Sequence, residues 1–284
     1  MQGAIFLQKF TVLDFAFLCP RNGVQGESFF VSAEVNGALD HTGFVMDFSQ
    51  VKKALKEGVD QGLDHRLAVA RGTRGLELRE NGSHLDVRRE GQLAYSCPAE
   101  AVAILEADAV TPESVIAYLE PRIRAMLPPS VSGLRLTLEE ELVDGPRFRY
   151  THGLRFHGGN CQRLIHGHRN RLEVFSAGRR MPAWEQDLAR WAQDAHFASA
   201  ETLKTPLPLE ERSPAGETAM VSYRSSQGVF TAELPANRVI AIAQEPSAEN
   251  LAALAVRRLK RSHPGDPVEV RFYEGIHKGA VARG

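Results

Sequence analysis

A chain of 284 residues, 43% of them hydrophobic, is long enough to bury a large core, and ordinary domain sizes favour two domains over one. Its 34 basic and 35 acidic residues leave a net charge of −1, which gives no reason to expect a nucleic-acid or anionic-membrane partner. No apolar run approaches the roughly 18–20 residues that span a bilayer, and the start MQGAIFLQKF lacks the regions of a signal peptide, so a cytoplasmic location is expected.

Two early strands come first. SFFVSAEVNG alternates apolar and polar residues and stops at Gly37, as a strand does. SQVKKALKEGVDQGL follows with apolar residues near helical spacing and Ser49 placed to cap it. The stretch GLELRENGSHLDVRREGQLAYSC carries Asn81-Gly82 between alternating segments, which predicts a hairpin. A second helix starts at Pro112, with Thr111 before it and Glu113 after it, and LRLTLEEE closes the unit as a late strand. Cys19, Cys97 and Cys161 cannot form a fully paired framework, and Cys19 and Cys97 read as small core residues.

The same order then repeats. FTVLDFAFLC matches FRYTHGLRFH, pairing Phe10 with Phe148, and GVQGESFFVSAEV matches LIHGHRNRLEVFS, pairing Gly26 with Gly167. VTPESVIAYLEPRI matches EPSAENLAALAVRRL, with the second helix start at Pro246, and LRLTLEEE corresponds to VEVRFYEG at an offset of 135, which sets Glu139 against Glu274. The chain therefore reads as two homologous α+β domains, 1–145 and 146–284, joined near Asp144-Gly145-Pro146.

In the second copy, NCQRLIHGHRN places one cysteine beside two histidines. His166 and His168 would lie about 200° apart around a helix but on the same face of a strand, so a strand is their natural carrier. His152, in FRYTHGLRF, is a third candidate on another alternating segment. Three neutral imidazoles with no fourth protein ligand describe an open, catalytic zinc site.

These residues resemble the zinc-site motif of the 6-pyruvoyltetrahydropterin and 6-carboxytetrahydropterin synthases, in which a His closes the first strand, a Cys follows and His-Gly-His opens the second strand. DHTGFVMDFSQVKKALKEGVDQGLDHRLAV is similar to the same family's Gly-x-Val-x-Asp-Phe strand end, helix and Leu-Asp-His loop. The resemblance implies tandem tunnelling-fold domains: antiparallel sheets with helices on one face, closing into a barrel on oligomerisation, with sites between subunits. It also implies Zn2+ held by His152, His166 and His168, a proton-transferring Cys161 assisted by Asp64 and His65, and a pterin anchored by Glu274 or Glu139. The implied substrate is 7,8-dihydroneopterin triphosphate. The implied product is 6-carboxytetrahydropterin for queuosine and other 7-deazapurines, with 6-pyruvoyltetrahydropterin, a pterin aldehyde, or binding without turnover as alternatives. A homo-oligomer is expected, in which each chain does the work of two single-domain subunits.

The two copies depart from the motif in complementary ways. In the first, Asp14 stands for the strand His and Gln25-Gly26-Glu27 for His-Gly-His, so that copy is expected to hold no zinc. In the second, the adjacent Asp-His is replaced by Asp194-Ala195-His196. The expectation is a composite site, with metal ligands and Cys161 from one copy and Asp64-His65 from the other. Arg163, two residues from Cys161, is expected to stabilise its thiolate, and Asp64 to orient His65. Glu139 lies in an acidic run whose alternative is a solvated strand end, which favours Glu274 as the anchor, and His157, Asp194 and His196 read as structural.

Overall fold

The computed structural model describes residues 1–284. The first copy runs β1 (Gln2–Cys19), β2 (Gly23–Ala38), α1 (Phe48–Gly62), β3 (Leu67–Ala70), β4 (Leu76–Asn81), β5 (His84–Arg89), β6 (Leu93–Pro98), β7 (Val102–Leu105), α2 (Pro112–Met126) and β8 (Val131–Glu139). The second runs β9 (Arg147–His152), β10 (His166–Ser176), β11 (Arg179–Arg180), α3 (Pro182–Ala192), β12 (Ala195–Ser199), β13 (Thr218–Ser225), β14 (Gly228–Pro235), β15 (Val239–Ile242), α4 (Ala248–Ser262), β16 (Glu269–Tyr273) and β17 (Gly279–Arg283).

Each copy builds one sheet, ordered β7-β3-β1-β2-β8 and β15-β12-β9-β10-β16-β17, with β11 on β10. Helices cover one face. Val51, Leu55 and Val59 of α1 and Val115, Leu119 and Ile123 of α2 recur at helical spacing and pack with Leu13, Phe15 and Val31. In the second copy Leu188 of α3 and Leu251, Ala255 and Leu259 of α4 pack with Phe148, Tyr150 and Phe197. This is the tunnelling-fold unit, twice over. A third sheet, β13-β14-β6-β5-β4, joins the hairpins of the two copies, with Ser96 opposite Thr231 and Tyr95 opposite Ala232.

The caps refine the expected boundaries. Asp47, not Ser49, caps α1: its carboxylate accepts from Ser49 N at 2.8 Å and Gln50 N at 3.3 Å, a charged acceptor at the positive end of the helix. Thr111 caps α2 with Pro112 in the first turn, whereas Ser247 caps α4 and leaves Pro246 outside it. Asn81-Gly82 turns the β4–β5 hairpin, Gly82 at φ 62°. Cys97 is a core residue, its thiol pushed up to about 12 by burial, but Cys19 is only half-buried.

The copies dock where Gly26 and Gly167 meet. A Cβ on Gly167 would lie 2.7 Å from Gly26 Cα, and a Cβ on Gly26 would lie 2.2 Å from Tyr150 O and 2.3 Å from His168 N. Gly26 pairs with Ala16 across the β1–β2 ladder as Gly167 pairs with Thr151 across β9–β10, so the two glycines are equivalent and lie beside a pseudo-twofold axis. The register then corrects two expectations. Phe17, not Asp14, occupies the place of His152, and Arg149 is the counterpart of Asp14. On the late strands, Val31 pairs with Leu138 as Leu172 pairs with Phe272, so Glu140, not Glu139, matches Glu274.

Candidate metal centre

His152 is the last residue of β9 and faces His166, the first of β10, while His168 follows on the same face. All three are fully buried. Two rings are anchored through Nδ1 by hydrogen bonds, His152 to Pro246 O at 2.8 Å and His166 to Arg163 O at 3.0 Å, and His168 Nδ1 lies 3.2 Å from Asp14 Oδ1 as an ion-pair contact without hydrogen-bond geometry. The Nε2 atoms are left to converge. His152 Nε2 and His168 Nε2 are 3.2 Å apart, and the ligand atoms of the trio all lie within 4.8 Å of one another. Burial pushes the His152 imidazole down to about 4, and burial with the neighbouring rings holds His166 well below the usual range. His166 Nε2 is buried without a hydrogen-bond partner. Buried, preoriented imidazoles around an orphaned nitrogen fit a divalent metal, with anchors on Nδ1 of His152 and His166 that fix tautomer and direction.

The first copy supplies a fourth imidazole. Just past the end of α1, His65 adopts a left-handed backbone (φ 55°) that lets its N–H donate to Asp14 O at 2.7 Å. Asp64 accepts from Asp14 N through Oδ1 at 3.0 Å and holds His65 Nδ1 through Oδ2 at 2.5 Å. The His65 ring then lies 5.0 Å from that of His166, and His65, Cys161 and His166 bring their ligand atoms within 4.8 Å of one another. Burial lowers the proton affinity of His65, but Asp64 and Cys161 outweigh it and raise the ring to about 10, so it stands as an imidazolium at neutral pH.

Cys161 sits in a short helical turn, Asn160–Gln162, held by Leu154 N donating to Cys161 O at 2.8 Å and Tyr223 OH donating to Gln162 O at 2.8 Å. Arg163 turns away from the expected role. Its guanidinium donates to Gln227 Oε1 at 3.1 Å and reaches Asp64 O and His65 O at 3.4 and 3.5 Å, clamping the loop of the first copy. Glu274 stands just past β16 with Oε1 4.0 Å from His168 Nε2. Burial pushes its carboxyl up, but His152, His168 and Lys278 outweigh it and hold it below the usual value. Glu139 does not join this cluster: it is exposed at the end of β8, near Ser32 Oγ at 3.4 Å. Asp14 and Lys278 escaped the sequence reading as members of this cluster. Asp14 is buried between His168, Ser28 and Lys278, whose Nζ lies 3.1 Å from Asp14 Oδ2. Its only signal is a carboxylate inside the apolar alternation of TVLDFAF.

Tandem tunnelling-fold sheets around a buried His trio are the architecture of the tetrahydropterin synthase family. The chain belongs to the 6-pyruvoyl tetrahydropterin synthase family, whose model matches residues 19–145 and again 141–284. Over 132 residues, 46% of this chain and 76% of the relative, it is 24% identical to a putative 6-carboxy-5,6,7,8-tetrahydropterin synthase of Pyrococcus horikoshii. Among solved structures it is similar to the 6-pyruvoyltetrahydropterin synthase of Plasmodium vivax (18% identity, 49% of this chain and 92% of that one, TM-score 0.41). The Plasmodium falciparum enzyme is comparable (18%, 48% and 90%, TM-score 0.40). No helix is long and apolar enough to cross a membrane.

Proposed function

We propose that the chain is a zinc-dependent lyase acting on 7,8-dihydroneopterin triphosphate and forming 6-carboxy-5,6,7,8-tetrahydropterin for queuosine and other 7-deazapurines. The observation that carries this reading is the meeting of His65 from the first copy with Cys161 and His166 from the second. His152, His166 and His168 would hold the ion through Nε2. Bound there, zinc supplies a Lewis acid that acidifies and fixes the side-chain hydroxyls of the substrate.

The protein's own groups move the protons. Cys161, as thiolate, takes a proton from the substrate side chain. His65, held at Nδ1 by Asp64, balances the thiolate charge and returns a proton through Nε2. Glu274 accepts paired hydrogen bonds from the guanidine-like edge of the pterin. The domain assignment follows: residues 1–145 contribute Asp64-His65 but no imidazole trio, and residues 146–284 contribute the metal ligands and Cys161. The 24% identical relative supports the carboxylated product. Open sheet edges at β8 and β17 support a homo-oligomer in which strand pairing closes the barrel. A cytoplasmic enzyme with a small pterin as its partner, and no nucleic acid, completes the reading.

Turnover is the test. Zinc-loaded protein given 7,8-dihydroneopterin triphosphate should release inorganic triphosphate and a side-chain fragment, with the carboxylated pterin identified by mass. A protein that binds the pterin but releases neither is not this enzyme.

A further inference from the structure

The pseudo-twofold relation gives each group around the His trio a counterpart on the opposite side. His65 N–H donates to Asp14 O at 2.7 Å, and Asp194 N–H donates to Arg149 O at the same distance, both residues at φ 55°. Leu67 lies beside Ala16 in the first copy as His196 lies beside Thr151 in the second. Leu67 pairs with Val102 as His196 pairs with Val239, so Ala101 answers to Arg238.

On the His-trio side, Ala16, Leu67 and Ala101 are apolar and are covered by Leu164 and Ile165 of the Cys161 loop. On the other side their counterparts are Thr151, His196 and Arg238. The segment that would cover them is only the turn between Cys19 and Gly23. A cavity of about 250 Å3 stands there, lined by Arg21, Asn22, Thr151, Asp194, His196 and Arg238. The loss of a covering loop has thus been met by polar residues, which cost stability in a buried place unless something satisfies them.

His196 is only 2% exposed, and its Nε2 has no hydrogen-bond partner. Its Nδ1 lies 3.0 Å from Thr151 Oγ1, and when that hydroxyl donates, the ring proton sits on Nε2 as a neutral donor. Asp194 has its acceptors engaged by Gln25 Nε2 at 2.7 Å, Gln193 Nε2 at 2.6 Å and Arg238 Nη1 at 3.1 Å. Arg238 also donates through Nη2 to Asn22 O at 2.8 Å, so its charge faces the cavity while its donors are largely engaged, and Arg21 is exposed at the rim. The free donors of the cavity are therefore the Arg21 guanidinium and His196 Nε2.

We propose that this cavity binds a phosphate-class anion, free or as the phosphoryl group of a metabolite, at a site separate from the metal centre. Oxyanions match a lining of guanidinium and N–H donors. Calorimetric titration of the metal-loaded protein with inorganic phosphate tests it. One saturable site per chain is expected, weakened at least roughly tenfold by Arg21→Glu, a surface change that leaves the fold alone, and further by Arg238→Ala. Binding should persist in the His166→Ala/His168→Ala variant, which separates this cavity from phosphate held on the metal. The proposal is overturned by no saturable binding up to ~10 mM phosphate, by equal affinity in Arg21→Glu, or by loss of binding with the His trio.

Discussion

Asp14 Oδ1 of the first copy lies 3.2 Å from His168 Nδ1 of the second, so a carboxylate of one copy stands behind an imidazole of the other copy's His trio. Burial pushes the Asp14 carboxyl up, but His168, Lys278 and Ser28 outweigh it and hold it well below the usual carboxylate range. A carboxylate behind a ligating His orients the ring and raises its basicity, and losing such a partner costs about 10–100-fold in metal affinity. Asp14→Ala is therefore expected to bind zinc 10–100-fold more weakly in competition with a chelator. Unchanged affinity would show that His168 is aimed without it.

His65 and Cys161 reach each other within one chain, which gives the composite site a sharp test. Cys161→Ala and His65→Ala are each expected to cut turnover by orders of magnitude with zinc still bound. The double variant should be little worse than either single one, because groups acting as one unit are not additive. Mixed and co-assembled single variants should regain nothing, since every chain lacks one half of its own pair. Recovery on mixing would place the working pair across two chains.

What the sequence disclosed was what is local. The His-Gly-His strand, the Asn81-Gly82 turn and the helix patterns each express a period or a turn preference within a few residues. Register is not local. Matching Phe10 to Phe148 put Asp14 in the place of His152, because the span from His152 to His166 is longer than the equivalent span from Phe17 to Gln25, and strand pairing reveals a difference that a one-dimensional match shares out wrongly. A one-residue slip on β8 likewise exchanged Glu139 for Glu140, and on a strand one residue reverses the face. The short parallel strands LAVA and VIAI, buried throughout, carry no alternation to announce them. The Asp14–His168 contact was hidden for the same reason, since it joins two copies whose docking no motif encodes.

Acid should destabilise the metal-free protein in a definite window. Burial lowers the imidazoles of His152 to about 4 and His196 to about 3, below the ordinary 6.5, so the unfolded chain binds more protons between those values. Stability from this source is complete above pH ~6.5 and falls as pH drops, by about 2 kcal/mol per histidine at pH 5. His65 works in the opposite direction: its pKa is raised to about 10, so its stabilisation is complete below about pH 6.5 and is lost as pH rises from there through about 10. Urea unfolding at pH 7 and pH 5 should record a loss of at least about 4 kcal/mol, because the His166 imidazole is lowered by burial in the same direction, and the loss should be about 2 kcal/mol smaller in His196→Gln. Equal stability at both pH values would mean that these rings take up protons inside the fold.

The docking of the copies rests on the absence of two side chains. A methyl at Gly26 would lie 2.2 Å from Tyr150 O and 2.3 Å from His168 N, and one at Gly167 would lie 2.5 Å from Tyr150 O and 2.7 Å from Gly26 Cα. Tyr150 O and His168 N are backbone atoms within the β9–β10 ladder and Gly26 Cα is backbone of β2, and none can yield as the end of a flexible side chain can. Gly26→Ala must therefore separate the copies or distort the strand that carries the trio, at an expected cost above about 3 kcal/mol. Gly133 is the control: its nearest neighbour is Asn36 Cβ at 3.6 Å, an ordinary contact. Urea midpoints should drop sharply for Gly26→Ala and Gly167→Ala but little for Gly133→Ala. Gly26→Ala should also weaken zinc binding although Gly26 holds no ligand, because parting the copies withdraws Asp14 from His168 and His65 from Cys161. A Gly26→Ala protein with native midpoint and native zinc affinity would refute the close approach and, with it, the pseudo-twofold on which the site's construction depends.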